Sequence, residues 1–121
     1  MCGIFCYVGD SIKPIYLQEN FSRIENRGPD YSVLQSIHNV HLGFHRLSIN
    51  DLSESGYQPF IHDENYLICN GEIYNHKNLQ QKYNIQTKSD SDCEVILYMY
   101  QKFGFDETCR QLDGVFSLII Y

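Results

Sequence analysis

The run from Cys2 to Val8 is apolar, rich in β-formers and closed by Gly9-Asp10, so a strand stands at the very start of the sequence. A strand needs main-chain partners, and the rest of the sequence has to supply them. Pro14 suits the first position of a helix, with Asp10 or Ser11 as its cap. Leu17, Phe21 and Ile24 then recur at helical spacing until Gly28-Pro29 stops the helix. Residues 31–38 and 41–49 alternate patchily and predict two strands joined across Asn39. Residues 51–63, rich in Ser, Gly, Pro and acids, predict a loop. Residues 66–69 predict a further strand, and Asn70-Gly71 ahead of Glu72-Ile73-Tyr74 is a hairpin-turn signal.

Asn75 or His76 opens a short helix through Leu79 and Tyr83. The clearest helix covers residues 91–103: Ser91 and Glu94 have capping-box spacing, Ile96, Tyr100 and Phe103 share one face, and Gly104 stops it. A short helix over 106–112 and a strongly apolar strand over 115–121 complete the pattern. Strands, helix, strands, helices and strand in that order imply an α+β layered fold with mainly antiparallel sheet. No turn residue or charged tail follows the last strand, so we expect a fragment of a longer protein.

Composition narrows the function classes. The 121 residues are 43% hydrophobic and 20% charged, which is ordinary for a globular domain. A net charge of -6 argues against a dedicated partner for nucleic acid or an anionic membrane, because phosphate contacts need surplus Lys and Arg. No run has the apolar length of a bilayer span, and the start lacks signal-peptide character. Five scattered cysteines, an odd number without a Cys-x-x-Cys pair, speak against a disulfide framework and a zinc ribbon. We therefore expect reduced thiols, a cytoplasmic setting and no metal site.

Several residues carry chemistry beyond packing. If Met1 is removed, Cys2 bears both a thiol and a free α-amine, and an amine of pKa about 7.7–8.0 can serve as base for its own side chain. A bland role is also open to it, as a small residue in a buried strand. Asn70 and Gly71 are first a turn signal, yet a side-chain amide next to a glycine N–H could also hold an oxyanion. Arg46 offers a planar fork for a carboxylate, and Glu72 and Asp92 are acids able to receive an ammonium. Alone, each is explained as well by a strand face or a helix cap. Together, a nucleophile, an oxyanion pair, a carboxylate clamp and an ammonium clamp describe recognition of a free amino acid with a reactive side chain.

The stretches Met1-Cys2-Gly3-Ile4-Phe5, Arg27-Gly28-Pro29-Asp30, His45-Arg46-Leu47-Ser48-Ile49 and Gln58-Pro59 form the first part of a recognisable series. Asn70-Gly71-Glu72-Ile73-Tyr74-Asn75-His76, Ser91-Asp92-Cys93-Glu94-Val95-Ile96 and Leu112-Asp113-Gly114-Val115-Phe116 complete it. In this order, and over nearly the whole chain, they resemble the N-terminal glutaminase domain of class II glutamine amidotransferases, most closely the asparagine synthetase branch. The resemblance implies an Ntn-hydrolase sandwich of antiparallel sheets between helices, incomplete at its C-terminal side. It implies Cys2 as N-terminal nucleophile, and Asn70 and Gly71 as oxyanion hole. It also implies glutamine binding by Arg46, Leu47, Ile49, Asn50, Glu72 and Asp92. The implied reaction is amide hydrolysis through a thioester, without a cofactor in this domain.

In the asparagine synthetase branch the ammonia passes to a C-terminal synthetase domain that uses ATP and Mg²⁺ on aspartate. The Ser-Gly-Gly-x-Asp-Ser loop of that domain is not found in these residues, so ATP and Mg²⁺ are expected only outside them. Other amidotransferases of the class have Thr-Arg-Trp-x-Thr-His-Gly at the carboxylate clamp, where this chain has His45-Arg46-Leu47-Ser48-Ile49 and no Trp anywhere. Further alternatives are a non-catalytic truncated fragment and a cysteine peptidase pairing Cys2 with His45. A homodimer is compatible with all of these readings.

Overall fold

The structure, a computed structural model, describes residues 2–48 and 53–121. It falls into two compact units, Met1–Ile49 and Asn50–Tyr121, and each carries its own three-stranded antiparallel sheet. This matches the α+β class and the antiparallel strands expected from the sequence.

The first unit contains β1 (Gly3–Val8), α1 (Pro14–Ser22), a single 3₁₀ turn (Glu25–Arg27), β2 (Tyr31–Ile37) and β3 (Val40–Arg46). The sheet order is β1-β3-β2, with Gly3 opposite His45 and Tyr31 opposite Arg46. The central strand is the most buried: Val40, Leu42, Phe44, His45 and Arg46 are all shielded from water. The β2–β3 hairpin turns where expected, with His38 in the left-handed region at φ 53°. Phe21 of α1 packs against Gly43, where a Cβ would come within 2.6 Å of its ring. A larger residue on β3 would lift the helix from the sheet.

Two details of α1 differ from the sequence reading. Its cap is Lys13, not Asp10 or Ser11, and no side chain bonds the helix end. The Lys13 carbonyl accepts from the Tyr16 and Leu17 N–H groups, and Pro14 has no N–H to satisfy, so a polar cap has little left to do. The helix also ends at Ser22, leaving Ile24 in the turn that leads to Gly28.

The second unit contains β4 (Phe60–His62), β5 (Asn65–Ile73), α2 (His76–Tyr83), α3 (Val95–Gln111) and β6 (Gly114–Ile120), with sheet order β4-β5-β6. β4 lies inside the segment expected to be loop. Its three residues pair with Leu67, Tyr66 and Asn65, and the buried Phe60 ties it to the core. The larger correction concerns Asn70-Gly71. No hairpin forms there: β5 runs straight through both residues, which face Ser117 and Phe116 of β6. A Cβ on Gly71 would sit 2.2 Å from the Val115 carbonyl oxygen. The glycine thus serves close strand approach instead of chain reversal, and the distant partner strand overrides the local turn preference.

α3 breaks at Gly104 (φ 77°, ψ 175°), which separates the two helices the sequence predicts. Its first turn starts at Val95, and the Ser91–Glu94 capping box does not form. Glu94 turns back instead and accepts from Lys88 N–H at 3.0 Å and Ser89 N–H at 2.7 Å. The core packs Leu67, Cys69 and Ile73 of β5 against Leu79 of α2 and Val95, Ile96, Leu97 and Met99 of α3. No helix among the described residues is long and apolar enough to cross a membrane.

The 27–30 segment closes tightly on the end of β3. A Cβ at Gly28 would lie 2.1 Å from the His45 carbonyl oxygen, and neither group is a flexible side chain. Gly28→Ala is expected to destabilise the protein by about 1–3 kcal/mol. Urea unfolding measures this, and an unchanged midpoint would contradict the packing described.

Candidate active site

Cys2 precedes β1, one residue before its pairing with β3 begins. Its half-buried thiol is gripped by main chain. Leu47 N–H donates to Sγ at 3.4 Å, and Sγ–H faces the Leu47 carbonyl at 3.6 Å. Arg27 Nε donates to the Cys2 carbonyl at 3.1 Å. Asp30 completes the same corner: its N–H donates to the Arg46 carbonyl at 3.0 Å, and its carboxylate accepts from Ser48 N–H at 2.7 Å. Arg27-Gly28-Pro29-Asp30 is therefore a clamp on the ends of β1 and β3, which brings Cys2, Arg46 and Leu47 together. Arg46 is 5% exposed.

His45 is not part of this chemistry. One ring nitrogen meets Ser32 Oγ at 2.6 Å and the other the Phe21 carbonyl at 3.0 Å, while the ring stacks on Phe21 with centroids 3.9 Å apart. Both nitrogens are engaged away from the thiol, which excludes the Cys2–His45 peptidase pairing. Cys6, on β1, is a packing residue whose thiol burial pushes above its ordinary pKa.

In the second unit the candidate residues follow from the ladder of β5. Tyr66 exchanges both main-chain bonds with Tyr121, and Tyr74 N–H donates to the Asp113 carbonyl. Bonded and non-bonded pairs alternate in an antiparallel ladder, so Cys69, Gly71 and Ile73 turn their N–H groups away from β6. Side chains meet two of the three. Cys69 N–H donates to Gln58 Oε1 at 2.6 Å, and Gln58 Nε2 returns a bond to the Cys69 carbonyl at 3.1 Å. Ile73 N–H donates to Asp92 Oδ2 at 2.6 Å. The Gly71 carbonyl faces the Cys93 thiol at 3.8 Å, and no side chain among the described residues takes its N–H. Beside it, the buried Asn70 Oδ1 has no hydrogen-bond partner among the described residues. An unpaired buried acceptor next to an unclaimed N–H is costly unless something binds there.

Asn70, Gly71, Glu72 and Asp92 thus gather along one stretch of β5. Glu72 is exposed and its side chain makes no hydrogen bond among the described residues, whereas Asp92 is buried at 8% and structurally engaged. Ile49 and Asn50 lie outside the described residues. Sequence reasoning gave no role to two side chains that shape these regions, Gln58 and Arg27, and gave Glu94 only that of a capping box. Gln58 and Arg27 stood in quoted motifs, but only distant main-chain partners reveal what they do. Glu94 also accepts from Ser89 Oγ at 2.5 Å. Burial first, then the Glu94 charge and a bond to it, push the Tyr98 hydroxyl above its ordinary pKa.

All of residues 1–121 match the family described as glutamine amidotransferase domain. The chain belongs to the glutamine amidotransferase family. A probable glutamine-hydrolysing asparagine synthetase of Acanthamoeba polyphaga mimivirus is 42% identical over 99% of the chain, which covers 23% of that relative. Glutamine-hydrolysing asparagine synthetases of Arabidopsis thaliana and Mus musculus are 36% and 38% identical, each over 99% of the chain. This amidotransferase domain spans roughly a fifth of the curated relatives it matches, 21% and 22% for those two.

The Asp92 bond to Ile73 yields a test of the domain's architecture. Asp92→Ala strands a buried N–H and is expected to cost about 1–3 kcal/mol, while Asp92→Asn keeps an acceptor and recovers most of it. Denaturant melts compare the two, and equal loss in both variants would show that the bond does not hold β5.

Proposed function

We propose that this domain hydrolyses the side-chain amide of glutamine through an N-terminal cysteine thioester. The observation that carries the reading is the grip on Cys2 Sγ by both main-chain groups of Leu47, the residue after Arg46. That grip holds a nucleophile in a fixed place without consuming a side chain. The family match and the names of the relatives supply the substrate class.

Removal of Met1 frees the Cys2 α-amine. The amine takes the thiol proton as the sulfur attacks the glutamine side-chain carbonyl carbon. The carbonyl oxygen becomes an oxyanion, held by the Gly71 N–H and the Asn70 side-chain amide; one such donor is worth ~3 kcal/mol in the transition state. The ammonium then passes its proton to the departing nitrogen, the C–N bond breaks, and ammonia leaves a γ-glutamyl thioester. Water, deprotonated by the same amine, attacks the thioester and releases glutamate and the thiol. Arg46 binds the substrate α-carboxylate; Asp92 and Glu72 receive its α-ammonium, and Leu47, Ile49 and Asn50 line the substrate. The two antiparallel sheets belong, in this reading, to an Ntn-hydrolase sandwich.

Domain hydrolysis in turn serves a longer cytoplasmic protein. Its synthetase domain takes the ammonia and makes asparagine from aspartate with ATP and Mg²⁺, and no residue of this chain is assigned to those cofactors. The engagement of both His45 nitrogens removes the Cys2–His45 pairing on which the peptidase reading rested.

Met1-processed protein is expected to release glutamate from glutamine, and Cys2→Ala to abolish the release. Arg46→Ala should chiefly raise KM, because it removes substrate binding more than transition-state contact. A coupled glutamate assay separates the two, and full turnover in the Cys2 variant would exclude the nucleophile assignment.

A further inference from the structure

We propose that Gln58 is a positioning residue for the oxyanion donors of β5. The inference rests on the glutaminase reading above and adds a part that reading lacks. β4 pairs with β5 only from Phe60 opposite Leu67 to His62 opposite Asn65. Continued along the same register, position 58 would stand opposite Cys69, but the chain has left the ladder there. The Gln58 side chain fills the gap. Its oxygen takes the Cys69 N–H and its nitrogen the Cys69 carbonyl, the two bonds a neighbouring strand would make. Both partners are buried, Gln58 at 7% and Cys69 at 1% exposed. A primary amide presents a donor and an acceptor side by side without needing a proton for this task.

The position of this pair decides what it does. Cys69 directly precedes Asn70, whose buried side-chain oxygen has no bond of its own to fix its direction. Where Asn70 points is then set by the main chain that carries it. Asp92 holds that main chain beyond Gly71, at Ile73, and Gln58 holds it before Asn70, at Cys69. Gly71 and Asn70 lie between these two anchors. A donor displaced by a fraction of an ångström loses much of its hold on an oxyanion, while ground-state binding of glutamine changes little.

A double-mutant cycle tests this in the Met1-processed protein. Asn70→Ala is expected to lower kcat about 100- to 1,000-fold. Gln58→Met, similar in size but unable to make either bond, should lower kcat about tenfold with KM within about twofold. If Gln58 acts through Asn70, the double variant stays within about threefold of Asn70→Ala alone. Losses that multiply, a rise in KM with kcat unchanged, or wild-type kcat in Gln58→Met would each overturn the positioning role and leave the glutaminase reading intact. Full turnover in Asn70→Ala would overturn the oxyanion assignment and the positioning role together. If Gln58→Met does not fold, Gln58→Asn carries the same test, since it keeps the amide but is one methylene too short to make both bonds.

Discussion

Buried main-chain polar groups have to be paired, and in this chain side chains finish what the strands leave undone. Where β4 stops short, Gln58 takes both main-chain groups of Cys69. Where β5 ends, Asp92 takes the Ile73 N–H. Glu94 ties down the N–H groups of Lys88 and Ser89, and Asp30 that of Ser48. Even the Cys2 thiol follows the rule, because it sits against the N–H and carbonyl of Leu47. Remove these side chains and each sheet keeps its centre but loses control of its ends.

The candidate residues lie beside such places, next to the end of β3 in one unit and along the edge of β5 that β4 leaves open in the other. A thiol held by main chain cannot swing freely, so its approach to a substrate is preset. An N–H turned away from β6 at Gly71, with Cys69 and Ile73 already claimed on the same edge, is a donor in waiting. The Asn70 oxygen beside it is buried without a bond. A domain that only had to be stable would gain by pairing the Gly71 N–H, and in the glutaminase reading proposed above that donor stays open for a developing anion.

How far the sequence disclosed this depends on the range of the interaction concerned. Periodicity and punctuation are local, so the helix at His76–Tyr83, the break at Gly104, the β2–β3 hairpin and the apolar strand at Gly114–Ile120 were legible. Asn70-Gly71 was misleading because a dipeptide carries its turn preference wherever it stands, whereas Val115 and Phe116 are more than forty positions away from it and decide the outcome. β4 escaped notice because three residues give no period to detect. Ser91 and Glu94 had the spacing of a capping box, yet Glu94 had better partners behind it in Lys88 and Ser89. The motif series named Cys2, Arg46, Asn70 and Asp92 as residue types, and only the structure gives Gln58 and Arg27 a task.

The central claim is that the sulfur next to the initiator methionine becomes covalently bonded to the substrate. Mass spectrometry of protein mixed briefly with glutamine and quenched in acid tests it directly, since acid preserves a thioester. The account predicts a γ-glutamyl group on the peptide that begins with Cys2, and on no other. Glutamate release with that peptide unmodified, or with the adduct on Cys6, Cys69, Cys93 or Cys109, would contradict it.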